Sequence, residues 1–202
     1  MTRLRIDAIA EKHMATTPFP HLVVADMWEG YAGLIAALPE SFYYDPMQRN
    51  PETGHVTRSH CHLDALPESP VWVALNEKLH SRNLWTLMSE RFSLVDAPPE
   101  SDLIVDVRLF RDEPGYTLAP HTDAQSKIIT LIFYLAEDDS HPEWGTRILA
   151  DSVDMNGTLI PYVPNVMFAF ARSSKSWHAS GPIQGVRNTL QVIYRTHRTG
   201  KE

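Results

Sequence analysis

Eight consecutive residues, Ile128-Ile-Thr-Leu-Ile-Phe-Tyr-Leu135, are nearly all apolar or β-branched. This is the pattern of a strand buried on both faces. Other strand-like runs lie around it. Leu103 to Arg111 alternates in part, and Thr146–Ala150, Val166–Arg172 and Thr189–Thr196 are each bounded by Gly, Pro, Asn or Ser. The first half of the chain has a different period. Residues 3–14 read as a short exposed helix. Residues 29–38 carry Tyr31, Leu34, Ile35 and Leu38 at helical spacing, with Asp26 as cap and Pro39 as stop. The clearest helix spans 69–92, with an apolar stripe from Val71 to Phe92 and with Trp72 and Trp85 read as core. Pro18-Phe-Pro-His-Leu-Val-Val-Ala-Asp26 adds an early strand, and Pro98-Pro99 breaks the chain before the β half. Helices first and strands after predict a mainly β fold with N-terminal helices (α+β), an antiparallel sandwich or jelly roll braced by helices. At 202 residues it reads as one domain, with helical support to about residue 100 and a jelly-roll core over 101–202.

Composition narrows the partners. The formal charge is −7 and the basic residues are scattered, which argues against a broad nucleic-acid or membrane surface. No apolar run approaches transmembrane length, and the first residues lack a signal peptide's apolar stretch. A single cysteine, Cys61, fits a reducing cytoplasm, where we place the protein on this reading.

The chemistry gathers at His121-Thr122-Asp123, just ahead of the buried strand. Strand side chains repeat every second residue, so His121 and Asp123 are expected to point the same way. A third ligand is offered by His178, directly after the run Val166 to Ala171. Two histidines and one carboxylate form the facial set that leaves positions open on non-heme Fe(II) in oxygenases. The spacing alone says little: with ten His and thirteen Asp, a chance His-x-Asp arises about half the time. Taken singly, His121 and Asp123 look like a surface strand pair and His178 like a core histidine; the three together carry the reading. A second copy, His62-Leu63-Asp64, has no long strand after it and reads as accidental. His60-Cys61-His62 reads as a polar loop, since no second ligand pair with zinc spacing exists. It lies in 40–66, which reads as irregular and as a candidate substrate-covering segment. Arg108, Arg111 and Lys127 are placed near the mouth of the site, as solvated charges or as contacts to an acidic substrate.

The order of these pieces resembles a family, the Fe(II)/2-oxoglutarate-dependent dioxygenases of the prolyl-hydroxylase-like branch. The resemblance rests on Pro18–Asp26, Gly115–Asp123, Lys127–Leu135, Trp144-Gly-Thr-Arg-Ile-Leu149, Pro164–Phe170, Trp177-His178 and Gly185-Val-Arg-Asn-Thr-Leu190. It implies a double-stranded β-helix, a cupin-like jelly roll. It implies Fe(II) held by His121, Asp123 and His178, with 2-oxoglutarate as cosubstrate, O2 as oxidant and ascorbate as a stimulant. Arg187, nine residues after His178, then grips the distal carboxylate of 2-oxoglutarate, as a planar guanidinium can. Tyr134 is expected to reach the same carboxylate, unless it is a core tyrosine bonded elsewhere, and Thr189 to add a hydroxyl. The activity implied is hydroxylation of an unactivated C–H bond in an amino acid, a peptidyl residue or a small metabolite. Related halogenases have a small residue in place of Asp123. Two other readings remain: a cupin-type metalloenzyme that uses no 2-oxoglutarate, against which Arg187 and Tyr134 argue, and a non-catalytic jelly-roll binding or sensing module, against which the complete ligand set argues.

Overall fold

The computed structural model describes residues 2–66, 68–95, 98–154 and 156–197. In chain order, strand β1 (Arg3–Leu4) precedes helix α1 (Ile6–Glu11), β2 (His21–Val24), β3 (Trp28–Glu29), α2 (Tyr31–Ala36), β4 (Asp45–Arg49) and β5 (Val56–His62). Helices α3 (Pro70–Leu79) and α4 (Arg82–Arg91) follow. The second half runs through β6 (Leu103–Asp112), β7 (Leu118–His121), β8 (Lys127–Tyr134), β9 (Thr146–Ile148), β10 (Thr158–Ile160), β11 (Met167–Ala171), β12 (His178–Ser180) and β13 (Arg187–Thr196). Seven strands form a major sheet in the order β2-β11-β8-β13-β6-β5-β4, and four form a minor sheet, β10-β9-β12-β7. The pairs are antiparallel throughout. This is the jelly-roll sandwich expected from the sequence. Among the described residues, no helix is long and apolar enough to cross a membrane.

The buried run at 128–135 has a simple cause. Successive side chains of β8 enter two different cores. Ile129, Leu131 and Phe133 join the cluster that includes Trp72, Leu75, Leu79, Leu84, Trp85 and Met88 of the helices. Ile132 and Tyr134 join a second cluster with Phe19, Tyr116, Trp144, Phe168 and Phe170 between the sheets. Strand β13 divides the same way: Leu190, Val192 and Tyr194 face the helices, while Thr189 and Ile193 line a cavity on the other side. Apolar residues at every position are what a strand needs when one face meets helices and the other meets a second sheet.

Several expectations change. The segment 69–92 is two helices, because the turn at His80-Ser81 restarts the chain and the Ser81 hydroxyl accepts from the Leu84 N–H at 3.4 Å. The second helix begins at Tyr31 and its N-cap is Gly30, not Asp26, since Trp28–Glu29 pairs with β1. Residues 3–14 hold β1 and a single short helix whose Ile9 is fully buried, so this segment is not simply exposed. Residues 40–66 are not irregular, and Met47 and Arg58 of this segment line the cavity described below. The segment folds into the hairpin β4–β5, which extends the major sheet along β6. The hairpin buries Thr57, Arg58, Ser59 and Cys61 of β5, which a loop signal does not reveal. The first hundred residues thus give three strands to the sheet as well as the helices that cover it.

Trp72 lies at the centre of the helical layer, fully buried, with its Nε1–H donating to Ala37 O at 2.5 Å. Trp72→Ala is expected to cost about 3–5 kcal/mol through the cavity it leaves. Val95→Ser, at a site 94 % exposed, should stay within about 0.5 kcal/mol. Denaturant unfolding of the two variants checks this; equal losses would contradict the assignment of the core.

Candidate metal centre

β7 and β12 lie side by side in the minor sheet, and His121 and His178 are direct partners across them. Opposed residues of an antiparallel pair bring their side chains close, and the two imidazole rings stand 4.2 Å apart. Asp123 lies beyond the end of β7, so strand alternation is not what aligns it with His121. Hydrogen bonds do so instead. Thr130 Oγ1 on β8 donates to Asp123 Oδ2 at 2.8 Å, Lys127 Nζ donates to Oδ1 at 2.6 Å, and Arg172 Nε donates to the Asp123 carbonyl at 3.2 Å. One ligand atom from each of His121, Asp123 and His178 lies within 4.8 Å of the other two.

The protonation pattern suits a cation. Each histidine Nδ1 lies 3.0 Å from a carbonyl two residues back, Ala119 O for His121 and Ser176 O for His178. A carbonyl only accepts, so both Nδ1 atoms carry a proton, which leaves Nε2 of each ring as the atom that would bind a metal. Burial pushes His178 down to about 4, which keeps it neutral. Burial opposes the charge on Asp123, but the Lys127 ammonium and the hydrogen bonds from Lys127 and Thr130 hold the carboxyl below its ordinary range. Two imidazoles and a carboxylate are a donor set that fits Fe(II) well. Among the described residues no other group of this kind forms, and His62-Leu63-Asp64 gathers no third ligand. Asp64→Ala is therefore expected to keep full metal content by elemental analysis, and loss of the metal would move the site.

The three side chains line a cavity of about 430 Å³ that also reaches Arg187, Tyr134 and Thr189. Arg187 is only 3 % exposed, far from the surface turn that a glycine-flanked arginine suggests. Its Nε donates to Asp112 Oδ2 at 2.8 Å, and its Nη1 donates to Trp144 O at 2.6 Å and to Ser180 Oγ at 2.5 Å. Sequence reasoning missed the group around it. Arg58, Asp112 and Arg187 are neighbours in register across β5, β6 and β13. Asp112 is fully buried, and Arg58 Nε stands 3.2 Å from its Oδ1 without the alignment of a hydrogen bond. Arg58 donates to the Tyr116 hydroxyl and stacks over the rings of Phe110 at 4.2 Å and Tyr116 at 4.7 Å. Two guanidiniums share one carboxylate here, so this end of the cavity keeps a positive charge ready for an anion. The turn leaving β12 packs against it: Gly181 has φ +89°, and a Cβ there would meet the Tyr116 carbonyl at 2.4 Å. A charged inward residue near the start of β5, Arg58, and another at the end of β6, Asp112, were the available signal, but their meeting is non-local.

Thr189 Oγ1 is buried and has no hydrogen-bond partner. The Tyr134 hydroxyl is engaged by backbone, accepting from Thr146 N–H at 3.0 Å and donating to Ile160 O at 3.3 Å. Of the three rim cations, Arg108 lines the cavity and Lys127 holds Asp123. Arg111 does not belong there. Strand alternation turns it away to pair with Glu113 at 2.6 Å and to line a separate cleft with Trp144 and Tyr162.

No family model matches this sequence, and a search of curated proteins finds no match. Solved structures do resemble it. A prolyl-4-hydroxylase from Pseudomonas putida is 16% identical, with a TM-score of 0.63, over 96% of this chain and 97% of that one. The non-heme α-ketoglutarate-dependent epimerase SnoN from nogalamycin biosynthesis is 11% identical, with a TM-score of 0.60, over 95% and 80%. A 2OG-Fe(II) oxygenase family oxidoreductase from Burkholderia pseudomallei is 11% identical, with a TM-score of 0.57, over 88% and 84%. The chain thus has the jelly-roll fold found in prolyl hydroxylase and 2OG-Fe(II) oxygenase structures.

Proposed function

We propose that the protein is an Fe(II)- and 2-oxoglutarate-dependent dioxygenase that hydroxylates an unactivated C–H bond of an amino acid, a peptidyl residue or a small metabolite. The observation that carries this reading is one cavity with two complementary ends. His121, Asp123 and His178 converge at one, and a buried cationic cluster around Arg187 forms the other. The fold shared with 2OG-Fe(II) oxygenase structures agrees with it, although fold alone does not choose a reaction. With iron and 2-oxoglutarate bound, the chemistry supplied is oxidative decarboxylation: 2-oxoglutarate loses CO2 and becomes succinate, and the two atoms of O2 go one to succinate and one into the C–H bond.

The chain's own residues place and protect that chemistry. His121, Asp123 and His178 hold the metal from one side, with the imidazoles oriented by Ala119 O and Ser176 O and the carboxylate by Thr130. Arg187 binds the distal carboxylate of 2-oxoglutarate, with Arg58 adding charge and Thr189 offering its unpartnered hydroxyl. Tyr134 serves as wall, since its hydroxyl is bonded to backbone. Ile132, Phe110 and Leu118 keep the lining apolar and exclude water from the reacting centre. Asp123 fills the ligand position with a carboxylate, which favours hydroxylation over halogenation. Oxygen-dependent, Fe(II)-dependent conversion of 2-oxoglutarate to succinate tests the reading. Slow release without any added substrate is expected; iron-loaded protein that forms no succinate, with or without a broad substrate set, would count against it.

A further inference from the structure

The proposed cosubstrate leaves charge over. Among the described residues, five cationic side chains line the cavity, Arg58, Arg108, Lys127, Arg187 and Arg195, against Asp106 and Asp123. With Asp112, buried against Arg58 and Arg187, the cavity holds five cations and three carboxylates, a formal surplus of two positive charges in a chain of net −7. Fe(II) and the 2-oxoglutarate dianion cancel each other, so the surplus remains when both are bound.

One of these two charges sits with Arg58 and Arg187 around Asp112, and the other has a place of its own. Along β13 the inward residues run Arg187, Thr189, Gln191, Ile193 and Arg195. Arg187 pairs with Asp112 at the inner end, and four residues on, roughly 13 Å along the strand, Gln191 pairs with Arg108 of β6. Past it, Arg195 is the register partner of Lys127, whose Nζ holds Asp123. A second arginine cluster therefore borders the metal ligands at the end away from Arg187. It repeats the logic of the first. Arg108 makes two hydrogen bonds to Asp106, Nε to Oδ1 and Nη2 to Oδ2, both 2.7 Å, and Arg195 Nη2 lies 3.5 Å from the same Oδ2. His62 Nδ1 approaches Asp106 Oδ1 from the far side at 3.9 Å. One carboxylate faces two guanidiniums, and among the described residues Arg195 Nε has no hydrogen-bond partner, on a side chain that is 38 % exposed. An unmet charged donor beside a positive surplus is the mark of a missing anion.

We propose that the molecule oxidised is a small carboxylate, and that Arg108 and Arg195, with Gln191 between them, bind its carboxylate beside the metal ligands at the end of the cavity opposite Arg187. This rests on the dioxygenase reading above. A net charge of one at the outer cluster matches one carboxylate, and two arginines offer it planar paired donors. The volume agrees: about 430 Å³ has to take the metal, the cosubstrate and the reacting part of the substrate. A residue inside a peptide carries no such charge on its main chain.

The test starts from protein shown by anaerobic titration to bind Fe(II) and 2-oxoglutarate. It is given the common L-amino acids and short monocarboxylic acids, each beside its uncharged amide, together with a set of phosphate monoesters and N-acetylated amino-acid methylamides. Unfolding temperature and extra succinate release are read for each. At least one acid is expected to raise both, its amide neither, and Arg108→Gln to weaken the acid by about tenfold or more in apparent affinity. Arg195→Gln leaves Asp106 paired with Arg108, and so serves if Arg108→Gln does not fold. Amides or capped residues acting as well as acids, phosphate esters acting where acids do not, an unchanged response in both variants, or silence from the whole set would each overturn the proposal. Wild-type protein that fails the 2-oxoglutarate titration overturns the dioxygenase reading itself, and this inference with it.

Discussion

His121→Ala is expected to abolish iron-dependent turnover while the protein stays folded. The two halves of that outcome have separate causes. In the proposed site His121 is one of three protein donors among the described residues, and even partners one bond further from a metal cost 10–100-fold in affinity, so loss of a ligand should cost more than about 100-fold. Its side chain is 32 % exposed and its Nδ1 bonds only the nearby Ala119 carbonyl, so truncation opens no large cavity in the core. Asp123→Ala should lose iron equally, but it also strips Lys127 and Thr130 of their shared partner and is the less clean variant. Metal content and unfolding measured on the same His121→Ala sample check both halves. Retained iron with full activity would sink the assignment.

Arg187→Ala is expected to weaken 2-oxoglutarate by about 100- to 1,000-fold and to leave the metal in place. Removing one partner of a buried charged pair costs about 3–5 kcal/mol, which at 1.4 kcal/mol per decade is two to three decades or more. The variant also leaves Asp112 with Arg58 alone, so some stability goes with it. Arg187→Lys separates the effects. It keeps the charge beside Asp112 but not the guanidinium fork that reaches Trp144 O and Ser180 Oγ, so it should fold well and still bind 2-oxoglutarate poorly. An unchanged affinity in both variants would reassign the arginine. Because Arg58 shares Asp112 and lines the same cavity, Arg58→Gln should show a smaller loss in the same direction.

The sequence carried the local parts of this account and missed the non-local ones. The run 128–135 announced a strand buried on both faces because its cause is periodic and lies within the run. His121, Asp123 and His178 were legible as ligand types, yet the reason they converge was not. The pairing of His121 with His178 is a matter of register between β7 and β12, and Asp123 is turned by Thr130 and Lys127 after its strand has ended. The hairpin over 45–62 reads as irregular in the sequence since its turn-formers and scattered histidines conceal a strand whose second partner, β6, lies about fifty residues on. That misreading hid Arg58. Asp112 was hidden differently, as a carboxylate at the end of an alternating strand whose purpose depends on two arginines from elsewhere in the chain. The break at His80-Ser81 was missed because apolar spacing continues across it and the capping serine is a weak local signal.

The central claim is that one cavity holds Fe(II) on His121, Asp123 and His178 and 2-oxoglutarate on Arg187. Anaerobic addition of Fe(II) and 2-oxoglutarate tests it most directly, through the weak visible charge-transfer band of the iron–keto acid chelate. The account predicts a band in the wild type, none in His121→Ala, and one in Arg187→Ala that needs far more 2-oxoglutarate to appear. Iron bound without any band in the wild type, or a band untouched in His121→Ala, would contradict it.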